Sequence, residues 1–267
     1  VVPNDLLFAS ASGSTHLNQI NAQNAWSVFS GTSNITVAIV DNAVMSTHTD
    51  LLANIYTNTV EANGTTNVDD DGNGYVDDIH GYDVAGMDGV TNPTNTAQDH
   101  GSHCSGIAGA CTNNNVGVAS IGWGIRIIPV KTSFDNSPTS NVDFGYEGII
   151  YAVKAKAKII SCSWGSSGGS STTEQAVIDY AWNRGCLIFA SAGNSNITTQ
   201  NYPGAYNHVY CVAAVNPSDV KSSYSNYGSW VDISAPGDNI LSTTPYSSTP
   251  AYLSYSGTSM ATPLVAG

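Results

Sequence analysis

Residues 35–41 read Ile-Thr-Val-Ala-Ile-Val-Asp, an apolar, largely β-branched run that stops on an acid. Side chains branched at Cβ favour extended backbone. A run apolar at both alternating sets of positions belongs to a strand buried on both faces, as in a parallel sheet covered by helices. Similar runs recur at 125–131, 158–164, 186–191 and 209–215, and helix-like stretches lie between them at 100–111, 141–157 and 172–184. The last helix is framed by the capping box Ser171-x-x-Glu174 and by Gly185 as a stop. This alternation predicts an α/β fold: a single three-layer domain, its mostly parallel β-sheet carrying helices on both faces. Functional residues are then expected at the carboxyl ends of the strands. Residues 57–98 are poor in apolar side chains and rich in Asn, Asp and Gly, and read as a long surface excursion.

No composition break or linker divides the 267 residues, and a hydrophobic share of 41% is enough for one sizeable core. The net charge is -13, and Glu occurs only at 61, 147 and 174, so the acid is nearly all Asp. Asp suits turns, caps and hard-cation sites. The charge argues against nucleic acid and anionic membranes as partners. Solubility in a salty or cold medium is the plain alternative to calcium binding. No apolar run approaches the roughly 18 residues of a membrane span. The start, Val1-Val2-Pro3, predicts a mature, processed, soluble protein. Five cysteines leave at least one unpaired. Cys104 and Cys111 lie on one helix, about 10 Å apart in rise, too far to bridge. One bridge among Cys162, Cys186 and Cys211 stays open.

Four stretches could carry chemistry. Asp41 ends its strand next to the core, as a cap or as an acid that orients a partner. Residues 99–111, DHGSHCSGIAGAC, place 100, 103, 104, 107, 108 and 111 on one helical stripe. His100 and His103 could bind zinc, form a buried hydrogen-bonded pair, or supply one base; no Glu stands nearby to complete a zinc motif. Residues 187–194, LIFASAGN, put Asn194 after a buried strand, as a turn residue or as an amide aimed at a developing oxyanion. Residues 256–263, SGTSMATP, set Ser259 at a helix mouth, among free N–H groups and a positive field. The plain reading there is a Ser/Thr N-cap. Pro263, four residues after Ser259, is read as tolerable because first-turn N–H groups lack intrahelical partners. Residues 165–169, GSSGG, match the G-x-S-x-G elbow and would make Ser167 an esterase nucleophile. The Gly/Ser loop runs on through Ser171, however, with no helix starting at once.

Together these stretches resemble the subtilisin-like serine proteases, the subtilases. HGSHCSGIAGA from His100 is similar to the family's histidine signature, and GTSMATP from Gly257 to its serine signature. Ala192-Gly193-Asn194 resembles its oxyanion segment and VAIVD, ending at Asp41, its aspartate strand. Ser163-Trp164-Gly165 resembles its substrate-binding strand; Tyr202-Pro203-Gly204 and Ser234-Ala235-Pro236-Gly237 resemble family turns. The resemblance implies that Ser259 is the nucleophile, His100 its general base, Asp41 the orienting acid and Asn194 an oxyanion donor. It implies a structural His103, and a free Cys104 thiol beneath His100 as in the proteinase-K-like branch. It further implies a secreted, monomeric endopeptidase of broad specificity, without catalytic cofactor, acting on extended polypeptides. The substrate would add a strand beside Ser163, Trp164 and Gly165, with Ser191 in the pocket wall. Two features depart from the family: Asn42-Ala43 replaces the usual Ser/Thr-Gly, and the chain stops at Gly267, so the C-terminal end of the domain is expected to be incomplete. The rival reading is a catalytically inactive subtilase-fold binding module.

Residues 68–78, VDDDGNGYVDD, hold D-x-D-x-N-G-x-x-D from Asp69. Alternating oxygens with Gly at the sixth place suit calcium, as in the first half of an EF-hand loop. The twelfth place is His80, not the bidentate Glu. Asp69, Asp71, Asn73 and Asp77 are the predicted ligands, with an acidic turn as the alternative. The resemblance implies a second calcium site at Asp50, partnered by Asn113 or Asn114.

Overall fold

The computed structural model describes residues 1–245 and 251–267. Helices α1 (Ala11–Gln19) and α2 (Ala22–Trp26) precede β1 (Thr36–Asp41). A 3-10 turn at Leu52–Asn54 follows, and the long excursion holds α3 (Thr59–Ala62) and β2 (Tyr82–Asp83). Then come α4 (His100–Gly109), β3 (Arg126–Lys131), α5 (Gly145–Lys154), β4 (Ile159–Cys162), β5 (Ser166–Ser167) and α6 (Thr172–Trp182). They are followed by β6 (Leu187–Ser191), β7 (Asn201–Tyr202), β8 (Val209–Val215), β9 (Ile233–Pro236), β10 (Ile240–Thr244), β11 (Ala251–Tyr255) and α7 (Thr258–Ala266). The main sheet has seven strands in the order β2-β3-β1-β4-β6-β8-β9, and all its ladders are parallel. Ser234 to Pro236, which resemble a family turn, belong to strand β9.

The alternation of β1 builds two cores. Val37 and Ile39 pack with Cys104 and Ile107 of α4 and with Met260 and Leu264 of α7. Ala38 and Val40 face the other way, onto Ile149 and Val153 of α5 and Ile178 and Ala181 of α6. This is the predicted α/β architecture of three layers, produced by the period-two geometry of a strand apolar on both sides. All five cysteines are free and buried, so no bridge joins Cys162, Cys186 and Cys211; the thiols pack as small apolar side chains.

The chain order reverses at β1. From β1 it passes first to the edge strand β2, comes back to β3 beside β1, and then crosses to β4 on the other side. A crevice outside the carboxyl ends of the strands is expected at such a switch point. Asp41 ends β1, Ser163 follows β4, and Asn194 follows β6 after two intervening residues.

Candidate active site

Asp41 is completely buried, and both its oxygens accept from His100 Nδ1, at 2.9 and 3.0 Å. One of them also accepts the Asn42 N–H at 2.7 Å. His100 is the first residue of α4, so the helix delivers the ring from its N-terminal end. The N-cap residue Asp99 makes no side-chain capping bond. Asn42 takes that role from the end of β1: its Oδ1 accepts from Gly101 N at 3.0 Å and from Ala43 N at 2.7 Å. The departure from the family pattern after Asp41 therefore ties α4 to the end of β1. Burial lowers the affinity of His100 for a proton, but the Asp41 carboxylate, with a further contribution from Cys104, outweighs it and holds the imidazole well above its ordinary 6.5. His103 is not part of this site. It is fully buried, stacked on Tyr255 at 4.4 Å, with Nε2 3.0 Å from the Leu253 carbonyl, and burial pulls it down to about 3.

Ser259 is the second residue of α7 and does not cap it, because the N-cap is Gly257 in extended conformation. The capping oxygen again comes from elsewhere. Asn194 Oδ1 accepts from Thr258 N and Thr258 Oγ1, both at 2.9 Å. That fixes the carboxamide with its NH₂ beside Gly257, on the wall of the cleft. Pro263 lies six residues into α7, past the first turn. Its missing N–H deprives the carbonyl four residues earlier, that of Ser259, of its helical partner. Ser163 Oγ fills the vacancy at 2.8 Å and Cys104 Sγ approaches at 3.5 Å. Cys104 also lies 3.8 Å from His100 Nδ1, so the buried thiol sits between imidazole and serine backbone. Ser259 Oγ donates to the Ser163 carbonyl at 2.9 Å, and Ser163 thus clamps Ser259 through both its groups.

His100, Asn194 and Ser259 open onto one cleft of about 750 Å³, which Ser163, Trp164, Gly165 and Ser191 also line. Trp164 is anchored by its indole N–H on the Val40 carbonyl at 2.9 Å, and Ser191 Oγ donates to the Trp164 carbonyl at 3.4 Å. The residues that sequence reasoning gave to catalysis or substrate therefore meet here, except Asp41, which is buried behind the cleft and bonded to His100. Ser167 lies in the two-residue strand β5, and α6 begins only at Thr172, so no elbow forms.

The acidic loop is arranged differently from the predicted set. Asp69 turns its carboxylate onto the N–H groups of Gly72, Asn73 and Gly74, and Asp77 accepts from Asn67 N. The carboxylates that converge are Glu61, Asp71 and Asp78, whose oxygens lie within 4.8 Å of one another. Asn73 joins them, donating to Asp71 at 3.3 Å and to Asp78 at 3.0 Å. Asp50 is fully buried and accepts from Asn114 Nδ2 at 2.8 Å. Burial pushes its carboxyl up to about 7, and the charge of Asp5 adds to the rise. Asp5 itself accepts from Asn113 N and Asn114 N. Glu61, Asp78 and Asp5 escaped the sequence reading. Glu61 lies outside the motif, Asp78 is adjacent to the residue chosen, and Asp5 has no local pattern at all.

A family model described as "Subtilase family" matches residues 32–267. "Thermitase" of Thermoactinomyces vulgaris is 40% identical over 265 residues, spanning 99% of this chain and 83% of that protein. An "Extracellular protease" of Xanthomonas campestris pv. campestris is 34% identical over 295 residues; the match spans 100% of this chain but 48% of the relative. Among solved structures, a protease of Pseudoalteromonas arctica PAMC 21717 superposes with a TM-score of 0.80 at 28% identity, covering 100% of this chain and 85% of that one. The chain belongs to the subtilase family and is a serine endopeptidase.

Proposed function

We propose that the chain cleaves extended polypeptides through an acyl-enzyme, with Ser259 as nucleophile, His100 as base and acid, and Asp41 as its orienting carboxylate. The observation that carries this reading is the double contact of Asp41 with His100 Nδ1, at 2.9 and 3.0 Å, beside the cleft that Ser259 and Asn194 line. Nδ1 must hold the proton to donate to a carboxylate, which leaves Nε2 as the acceptor. Ser259 Oγ rests on the Ser163 carbonyl and leaves it by rotation about χ1 between staggered positions. Oγ then bonds to the peptide carbonyl carbon as Nε2 takes its proton. The oxyanion meets the Asn194 amide and the Ser259 N–H at the positive end of α7. Collapse expels the amine, which takes the proton back, and water repeats the sequence on the acyl-enzyme.

The substrate lies as an added strand beside Ser163, Trp164 and Gly165, with Ser191 in the wall. Main-chain bonding accounts for broad specificity. The reading extends to a secreted monomer with one catalytic domain; the word "extracellular" in the name of the Xanthomonas relative supports secretion. Calcium fits as a structural ion. Three converging carboxylates form a hard-oxygen set, and no ion pair among the described residues neutralises them. Glu61, Asp71 and Asp78 would hold one ion, and Asp50 and Asp5 a second, while Asn73 and Asn114 turn their NH₂ groups onto these carboxylates and their oxygens onto the Tyr75 and Val116 N–H groups. Labelling with a sulfonyl fluoride, mapped by peptide, tests the assignment. An adduct on Ser259 is expected; an adduct on Ser167 favours the esterase, and no adduct favours the binding module.

A further inference from the structure

The cleft is acidic along one wall. Glu174 and Asp143 line it next to Tyr146 and Trp164, and no Lys or Arg does. Glu174 is the third residue of α6, where a capping box would turn its carboxylate back onto the Ser171 N–H. A tyrosine takes that bond instead. Ser171 N donates to Tyr206 Oη at 2.8 Å, and the Tyr206 hydroxyl donates to Glu174 Oε2 at 2.6 Å. Tyr146 lies close enough to Glu174 to feel its charge. Burial first, then this carboxylate, push the Tyr146 phenol far up, so it remains a donor. The Tyr206 phenol holds the carboxylate in place without neutralising it. Among the described residues Glu174 has no ion-pair partner.

The neighbouring surface is aromatic. Tyr146 and Trp164 pack edge to face at 5.4 Å. Gly145 keeps room around them, since a Cβ there would come within 2.5 Å of the Trp164 ring. A fixed carboxylate beside half-buried rings that line the cleft is the environment that a guanidinium recognises, by charge-assisted hydrogen bonds and by stacking. We infer that the cleft selects polypeptides bearing a basic side chain, arginine above lysine, at the position that reaches this wall, and that Glu174 is the residue that sets the preference. The net charge of -13 steers the same substrates toward the protein. The inference rests on reading the cleft as the substrate site, and it adds one side-chain preference to binding otherwise made through the main chain.

The test uses fluorogenic peptides in which a single arginine, or its neutral near-isostere citrulline, occupies each position in turn. At one position the ratio of kcat/KM, arginine over citrulline, should be about tenfold at low salt. It should shrink in 1 M NaCl, where the Debye length is about 3 Å. Glu174→Gln should bring the ratio to about one, and Glu174→Lys should turn it in favour of a glutamate-bearing peptide. Each ratio is internal to one preparation, so partial misfolding of a variant cancels, and the wild-type arm needs no variant. A wild-type ratio near one at every position overturns the inference, as does a ratio that survives Glu174→Gln. Failure of the cleft reading itself shows differently, as turnover that survives Ser259→Ala.

Discussion

Gly101→Ala probes whether the approach of α4 to β1 sets up the catalytic pair. A Cβ at Gly101 would lie 2.4 Å from the Ala43 carbonyl oxygen and 2.8 Å from Asp41 Cβ, where ordinary contacts begin at 3.4 Å. The shortfall at the oxygen is therefore 1.0 Å, and it falls on backbone that no rotamer can move aside. Alanine gains about 1 kcal/mol of helix propensity over glycine. Overpacking against rigid neighbours costs about 1–3 kcal/mol, so the clash wins or breaks even. The consequence for activity is larger. Moving α4 outward by anything near the shortfall lengthens the His100–Asp41 contact from its 2.9 Å by a similar amount, and a misplacement of about 1 Å can cost roughly 10²-fold in rate. It also pulls Gly101 N from Asn42 Oδ1. The assay is kcat/KM on a chromogenic peptide anilide, with thermal unfolding followed by circular dichroism on inhibitor-blocked protein. Gly169→Ala is the control, because nothing lies within 4 Å of its added Cβ. Gly101→Ala retaining kcat/KM within threefold of wild type, with unchanged melting, would refute the reasoning.

Asp41→Asn should lower kcat about 10⁴-fold by losing the tautomer and its charge. The wild-type rate should rise with pH through a His100 pKa above 6.5, and the variant's residual limb should move to lower pH, because burial then acts without the carboxylate. Stability follows the same group: the gain from a raised histidine pKa is complete below 6.5 and is lost as pH rises through the folded value, and urea midpoints across pH should show that loss in wild type only. Lys131→Met should destabilise by about 3–5 kcal/mol in urea unfolding. It strands Asp83, 1% exposed, which Lys131 contacts at 2.8 Å, although Ala85 and Gly86 N–H groups still reach it. Calcium at a hundredfold over its Kd contributes about 2.7 kcal/mol, so EGTA should lower Tm by about 5–10 °C. Glu61→Gln should reduce that difference, and equal Tm with and without EGTA would remove both ion sites.

The strands, the helices between them and the four catalytic candidates were legible because each has a local sign. A period of two with no polar alternate marks a doubly buried strand, and acid, imidazole, carboxamide and hydroxyl each stand where a strand ends or a helix begins. What holds those groups in place was not legible. The caps of α4 and α7 are the carboxamides of Asn42 and Asn194, 59 and 64 residues away in sequence from the N–H groups they accept. Pro263 reads locally as a tolerated first-turn residue, yet its position deeper in α7 frees the Ser259 carbonyl for Ser163 and Cys104. The acidic motif showed which segment gathers carboxylates but not which of them converge: Asp69 and Asp77 turn onto backbone N–H groups of the loop, while Asp71 and Asp78 meet Glu61. Sequence by itself determined periodicity, burial and chemical type, which depend on neighbours a few residues apart. Tertiary structure alone decided the partners, because a hydrogen bond acts over about 3 Å of space and is indifferent to the length of chain between donor and acceptor.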